Sequence, residues 1–450
     1  MKNKEQGSDK ALERRIKKHI HAQLHTVECS VPPGFIELGK RRAAEILKEH
    51  SSSDPQAQTK IEIHGNSVRI ENLPFEAVHE LLYEGLVFTE VKIRVVRSRC
   101  STEDKLEKIV SEVDWRLWLP AIASDSWDVR VDSLNSQLYH EGRIKRLFLD
   151  AIGKLKLPKG MKLPDNSCPT LVALDITLQR EVLEIFLSLG GRSFWKRGHK
   201  QSMQHAAPLR EDIAACLVQR LAEISHEQLN VATPTHVLNP FCGTGTLLHE
   251  SALMISRTAH LLSENHRLSY IFLPFFKENA FAHVRKRKLA KLEPKGKNVA
   301  NPVLYVGEDL DQGLCMASEK WFDEVKLKIE IPASVNCFQV DSCKRNEHIS
   351  KLSVDHSLWI LANPPFGLRL SNDSRGGSEK VYQLFGSRLS ELMSSLAKKN
   401  VNACGVVLCP DEDTWRNVQR ELRQYQQFCE HLTLGGLDIR ALYFTSRPRS

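Results

Sequence analysis

His236-Val237-Leu238-Asn239-Pro240-Phe241-Cys242-Gly243-Thr244-Gly245-Thr246, followed by the mostly apolar run from Leu247 to Ile255, decides the fold. His236 to Leu238 reads as a buried strand, the two glycines as a turn and the run behind them as a helix, the entrance of a nucleotide-binding Rossmann unit. Gly243 and Gly245 let the backbone approach a ligand closely, and the helix N-terminus offers free N–H groups to a carboxylate or phosphate. A turn of this kind also serves as a plain strand-to-helix connection, so its meaning depends on its company. Position 248 is Leu where the dinucleotide fingerprint has a third glycine, which weakens an NAD reading. No Gly-Lys-Ser or Gly-Lys-Thr is present, so the turn is not a P-loop.

Downstream, Val303 to Val306 reads as the second strand, ending in Gly307-Glu308-Asp309, and an acid at such a strand end suits ribose hydroxyls. Asp309 stands 66 residues after Gly243, against roughly 20 in a plain unit, so an insertion over 263–301 is expected between them. Within it, His283 to Lys297 carries seven Lys or Arg and one Glu, either a phosphate-facing stripe or a solvated helix surface. Asp341 is expected after a third strand. Leu358 to Ala362 forms the next and runs into Asn363-Pro364-Pro365-Phe366-Gly367, the most informative turn of the chain.

The lone pair of an exocyclic amine on a nucleobase is delocalised into the ring, so the nitrogen reacts only when its N–H bonds are held by acceptors. The Asn363 side-chain oxygen and the Pro364 carbonyl supply two such acceptors in a rigid turn, which aims the nitrogen at an electrophile by positioning. Phe366 offers a flat face on which an extruded base stacks.

At 450 residues the chain is long enough for about two or three domains. Its 41% hydrophobic and 26% charged residues argue against a disordered, collagen-like or disulfide-scaffold protein. Lys and Arg number 63 against 55 Asp and Glu, a net charge of +8 that permits a polyanionic partner and does not demand one. No apolar run approaches the roughly 18 residues of a membrane span; the densest cluster, Tyr270 to Phe276, is far shorter. The basic first residues precede no apolar core or cleavage site, so a cytoplasmic protein with no membrane association is expected. The 11 cysteines form no C-x-x-C pair and lack zinc spacing, which predicts reduced thiols and no metal.

The division expected is a basic, partly helical arm over 1–26, an α+β region over 27–190 and a Rossmann-like α/β domain with a mainly parallel sheet over 191–450. Helices are expected from Phe35 to Lys48 and Leu73 to Leu82, with strands at Lys60 to Ile63, Ser67 to Ile70 and Val91 to Arg99. Leu171 to Ile176 and Val182 to Leu189 read as a hairpin.

Asn363-Pro364-Pro365-Phe366 together with Asn239 to Thr246 resembles the amino-methyltransferases that use S-adenosylmethionine. Ser193 to His199, Ala207 to Glu211, and Val129 to Leu149 with the hairpin behind it resemble the THUMP-containing RNA guanine-N2 methyltransferases, so nearly all of the chain after Val27 is covered. Ile271 to Phe276 and the cationic stretch after it resemble the insertion of the bacterial 23S rRNA branch, whereas the tRNA branch usually lacks it. A second catalytic domain, fused in some members, is not expected here.

The resemblance implies an N-terminal RNA-binding region, ferredoxin-like plus THUMP, ahead of the catalytic domain. It implies that Asn239, Pro240, Gly243 and Gly245 cradle S-adenosylmethionine, that Asp309 binds its ribose and that Asp341 meets its adenine amino group. Asn363, Pro364 and Phe366 would hold the target guanine. The family often has Asp at the position of Asn239; the change removes a negative charge near the cofactor's ammonium group, for which Glu211 or Glu250 could compensate. The substrate favoured is 23S rRNA, with tRNA second. Adenine-N6 methylation and a non-catalytic RNA-binding assembly factor are the rival readings.

Overall fold

A computed structural model describes residues 10–50, 58–120, 127–154, 172–192, 194–196, 209–256, 269–290, 302–326, 333–344, 356–366 and 375–449. The chain divides into two units. The first comprises Met1–Val31, Gly39–Trp195 and Glu264–Lys291, the second Pro32–Leu38, Lys196–Ser263 and Leu292–Ser450. Ser193, Arg197 to His199, Ala207, Pro208 and Gly367, singled out in the sequence, lie outside the described residues.

In the first unit, strands β1 (Leu24–Ser30), β2 (Lys60–His64), β3 (Ser67–Pro74), β4 (Glu90–Arg99), β5 (Trp127–Leu134), β6 (Val172–Gln179) and β7 (Val182–Ser188) form one sheet ordered β2-β3-β1-β4-β7-β6-β5. Every neighbouring pair is antiparallel except β5 with β6. Helices α1 (Ile36–Ile46), α2 (Phe75–Glu84), α3 (Glu103–Glu112) and α4 (Glu141–Gly153) are interspersed along the same stretch. Thr102 starts α3 by accepting a hydrogen bond from the Lys105 amide, which satisfies one of the helix's unpaired donors.

Two features of this half were not read from the sequence. Within 1–26, Ile16 and Ile20, one turn apart on a helical stretch, are buried, and β1 already begins at Leu24. The apolar spacing outweighs the surrounding Lys and Arg, which stay outside. Of the insertion expected over 263–301, the described residues 269–290 group with the first unit. Tyr270 is buried with its hydroxyl 2.8 Å from His79 Nε2 on α2, and Phe275 packs edge-on against Phe75 and Trp118. On helix α7 (Glu278–Ala290), Arg287 pairs with Glu76 and Glu80 of α2. The aromatic residues of this insertion are therefore core, and one of its cations is committed to carboxylates.

The second unit holds β8 (His236–Pro240), β9 (Val303–Asp309), β10 (Ala333–Gln339), β11 (Ser357–Ala362), β12 (Asn402–Cys409), β13 (Tyr425–Leu434) and β14 (Leu437–Pro448), ordered β10-β9-β8-β11-β12-β14-β13. The first five are parallel; β14 runs antiparallel to β12, and β13 to β14. Helices α5 (Glu211–Leu229), α6 (Thr246–Ile255), α8 (Gln312–Lys326), α9 (Arg375–Lys398) and α10 (Glu412–Glu421) connect or follow the strands. All six residues of β11 are buried, as a central parallel strand requires, and Ile360 packs in one core with Tyr382, Phe385, Met393 and Phe444. This is the α/β fold with a mainly parallel sheet that the sequence implied. The strand order reverses between β8 and β11, and ligands of open α/β sheets bind at the carboxyl ends there.

Candidate active site

A cleft with about 910 Å³ of empty space, open to solvent, lies in the second unit and is lined by Gly243, Thr244, Asp309, Asp341, Asn363 and Pro365 among others. It gathers four of the residues predicted from sequence, Gly243, Asp309, Asp341 and Asn363, from four separate strand ends. Asn239, Pro240, Gly245, Pro364 and Phe366 belong to the same turns, but the described wall does not include them.

The glycine turn is shaped by backbone conformations that few side chains tolerate. Phe241, Gly243 and Gly245 have φ of 56°, 51° and 77°. A Cβ on Gly245 would stand 2.1 Å from Ser318 Oγ of α8, so close packing demands glycine here as well as the left-handed conformation does. Hydrogen bonds then fasten the turn to its neighbours. The Gly243 amide donates to Asp309 Oδ2 (2.8 Å), the Cys242 amide to the Glu308 carbonyl (2.8 Å) and the Phe241 amide to Ser342 Oγ (3.2 Å). Asp309 Oδ1 accepts from the Asp311 amide (3.0 Å), so this carboxylate orients the glycine turn and keeps lone pairs free on both oxygens. Asp311 in turn receives the Gly313 and Leu314 amides at the start of α8. Asp341 Oδ1 accepts from the Cys343 amide at 3.0 Å.

The two asparagines stand at the ends of adjacent strands. Asn239 is buried; its Nδ2 donates to the Leu361 carbonyl and, at 3.3 Å, to that of Pro240, while its Oδ1 is buried with no partner among the described residues. Asn363 Oδ1 is likewise a buried acceptor without a partner among the described residues. A buried unpaired acceptor costs roughly 1–3 kcal/mol, so two of them at one strand-order reversal mark a place built for donors from elsewhere. The Pro364 carbonyl accepts a long 3.4 Å hydrogen bond from Tyr382 Oη, which also donates to the Leu408 carbonyl at 2.9 Å. Burial pushes the Tyr382 phenol well up, so it remains a donor. Phe366 is half-buried. Glu211 and Glu250 are both buried.

One functional element was not read from the sequence. Arg388 of α9 donates to both oxygens of Glu308 (2.8 and 2.9 Å) and to the Ser342 carbonyl. Glu308 precedes Asp309 and Ser342 follows Asp341, so one guanidinium ties together the two strand ends that carry the cleft's acids. The available signal was an arginine on the buried stripe of α9, three residues after Phe385 and one before Leu389, together with an acid in an apolar strand. Among the described residues no group of His, Cys, Asp and Glu could hold a metal ion.

Residues 198–414 match the family profile described as UPF0020, the RMKL-like methyltransferase domain. Nearly half of the chain is thus similar to an RMKL-like methyltransferase domain. Over 309 residues the chain is 24% identical to the ribosomal RNA large subunit methyltransferase K/L of Colwellia psychrerythraea, covering 67% of this chain and 40% of that protein. It thus spans less than half the length of this curated relative. Among solved structures, a protein described as a predicted N6-adenine-specific DNA methylase from Listeria monocytogenes superposes with a TM-score of 0.65 at 17% identity, covering 93% of this chain and 96% of that one. SMU.472, solved in complex with SAH, gives 0.65 at 17% identity over 95% and 100%. TrmN from Thermus thermophilus gives 0.57 at 18% over 93% and 99%. At these identities the likeness is one of fold.

Proposed function

We propose that the chain is an S-adenosylmethionine-dependent RNA methyltransferase that modifies guanine N2, with 23S rRNA as its substrate. The observation that carries this reading is Asn363 Oδ1, a buried acceptor without a partner among the described residues at the end of β11, in a turn that also lines the cleft. An amine offered to this turn gives one N–H to Asn363 Oδ1 and the other to the Pro364 carbonyl, whose second lone pair remains free beside Tyr382. Two held protons leave the nitrogen lone pair directed along one line, and Phe366 supplies the stacking face. No strong base is needed, because the proton leaves to solvent after the new bond has formed.

The cofactor supplies an electrophilic methyl group on a sulfonium. The residues present fit it: Gly243 and Gly245 add no side chain beside that of Thr244, Asp309 and Asp341 offer carboxylates to ribose and adenine, and Asn239 Oδ1 is a neutral acceptor for the methionine ammonium. The first unit, with its resemblance to a THUMP-type RNA grip, would hold the folded RNA. The rRNA substrate is supported by the name of the Colwellia relative.

The test is transfer of labelled methyl from S-adenosylmethionine to separate pools of unmodified rRNA and tRNA, with digestion to nucleosides. N2-methylguanosine confined to large-subunit rRNA is expected, and Asn363→Ala should lower the rate by roughly a hundredfold, the loss typical of one preorganised polar contact. Label in tRNA would overturn the substrate, N6-methyladenosine the target atom, and RNA binding without transfer the catalytic reading. An Asn363→Ala protein that stays folded and fully active would refute the assigned geometry.

A further inference from the structure

Three thiols from three different elements converge beneath the glycine turn. Cys242 lies in the turn itself, Cys315 on the first turn of α8 and Cys337 near the end of β10. The Cys242 thiol interacts electrostatically with both others. Gly307 of β9 makes this meeting sterically feasible: a methyl group on its Cα would stand 2.7 Å from Cys337 Sγ and 3.1 Å from Cys242 Sγ. Strand register places Gly307 opposite Cys337 on one side and Asn239 on the other. No side chain of β9 therefore separates the sulfur of the turn from the sulfur of β10.

The three are not equivalent. Cys242 and Cys315 are buried, whereas Cys337 is half-buried on a strand at the sheet edge. A hydrogen bond with Cys242 draws the Cys337 pKa down, and Ser318 adds to this, while contacts with Cys315 and then Cys337 push Cys242 up. The thiolate is the reactive form of cysteine, so the accessible member reacts first and the turn cysteine stands behind it as a protonated partner.

We infer that Cys337 and Cys242 form a redox-modification site, at which a peroxide closes a reversible disulfide between β10 and the cofactor turn. The Cys337 thiolate attacks one peroxide oxygen; the O–O bond breaks, hydroxide departs and a sulfenic acid remains. The Cys242 sulfur then attacks the sulfenic sulfur, the S–O bond breaks, and the hydroxyl leaves as water with the Cys242 proton. In sum, two thiols and one peroxide give one disulfide and two waters. Closing the sulfurs to bonding distance pulls on Cys242, whose amide holds the Glu308 carbonyl and whose neighbour Gly243 holds Asp309. The effect on cofactor binding rests on the proposed methyltransferase function; the disulfide itself does not.

The experiment treats the reduced full-length protein with hydrogen peroxide. Linked peptides are mapped by differential alkylation and mass spectrometry, and SAH affinity is measured by calorimetry before and after. A Cys242–Cys337 peptide is expected, with an SAH dissociation constant raised at least tenfold and restored by dithiothreitol. Cys337→Ser should abolish both the link and the sensitivity, while Cys429→Ser, at an exposed thiol of β13, should leave both in place. A link from Cys242 to Cys315, stable sulfinic acid on Cys337 without a link, or linked protein that binds SAH as before would each overturn the inference. If the reduced protein binds no SAH, the methyltransferase reading fails, and the linked peptide alone then decides the disulfide.

Discussion

Replacing Arg388 by Met tests whether the two acid-bearing strand ends are held by one charge. The guanidinium makes two hydrogen bonds to Glu308 and a third to the Ser342 carbonyl, and the Glu308 side chain is fully buried. Methionine keeps much of the side-chain volume and removes the charge, so the buried Glu308 carboxylate loses both hydrogen bonds from this guanidinium. Breaking one side of a buried pair costs about 3–5 kcal/mol, and at about 2–4 °C per kcal/mol for a unit of this size the melting temperature should fall by about 10 °C. Urea unfolding followed by tryptophan fluorescence measures the loss, and SAH calorimetry measures its effect on the cleft, where at least a tenfold weakening is expected. The double variant Arg388→Met with Glu308→Leu should recover most of the stability, because apolar residues of similar volume replace buried ion pairs at little cost. A loss below about 1 kcal/mol in the single variant would refute the reasoning, as would a double variant no more stable than the single one.

The glycine turn, the first asparagine and the buried histidine of the first unit give three further tests. Gly245→Ala should weaken SAH binding more than tenfold, since the left-handed backbone alone costs about 1–2 kcal/mol and the new Cβ meets Ser318; Gly243→Ala, with nothing within 4 Å, should be milder, and the reverse ranking in calorimetry would be fatal to the packing argument. Asn239→Asp should not tighten cofactor binding despite the added charge, because a carboxylate cannot donate to the Leu361 and Pro240 carbonyls; about 1–3 kcal/mol of stability should be lost, and tighter binding at unchanged melting temperature would disprove this. Burial holds His79 down to about 4, so the unfolded chain binds more protons than the native unit between pH 6.5 and 4. The stability contributed by neutral His79 is thus present above pH 6.5 and lost as pH falls toward 4, by up to roughly 3 kcal/mol; urea midpoints that are flat across this window, or unchanged in steepness in His79→Gln, would contradict it.

The parts of the fold that could be read from sequence are those whose determinants sit side by side in the chain. The strand, glycine turn and helix from His236 to Ile255, the acid of Asp309 and the turn at Asn363 each carry their geometry in adjacent residues. The hairpin of β6 and β7 was legible from its two apolar runs, although its turn uses Arg180 and Glu181 with positive φ and no glycine. What escaped depends on distant partners. Tyr270 reads only as one end of a short apolar cluster until His79, 191 residues earlier, takes its hydroxyl, and Glu308 reads as one more acid until Arg388, 80 residues later, reaches it. Asn239 invited an argument from charge alone; only the nearby carbonyls show that its amide nitrogen is in use.

The passage of Glu264–Lys291 back into the first unit bears on how the protein is made. A chain emerging from its N-terminus completes all seven strands of the first sheet by Ser188, yet the surface around Phe75, His79 and Trp118 still waits for Tyr270 and Phe275. Vectorial synthesis therefore leaves this unit without its last apolar cover until the ribosome has also delivered the glycine turn and α6 of the other. Over that interval the nascent unit has exposed apolar surface, the condition in which partly folded chains recruit chaperones or aggregate. A gene cut at Trp195, a natural place to separate the halves, would make that condition permanent.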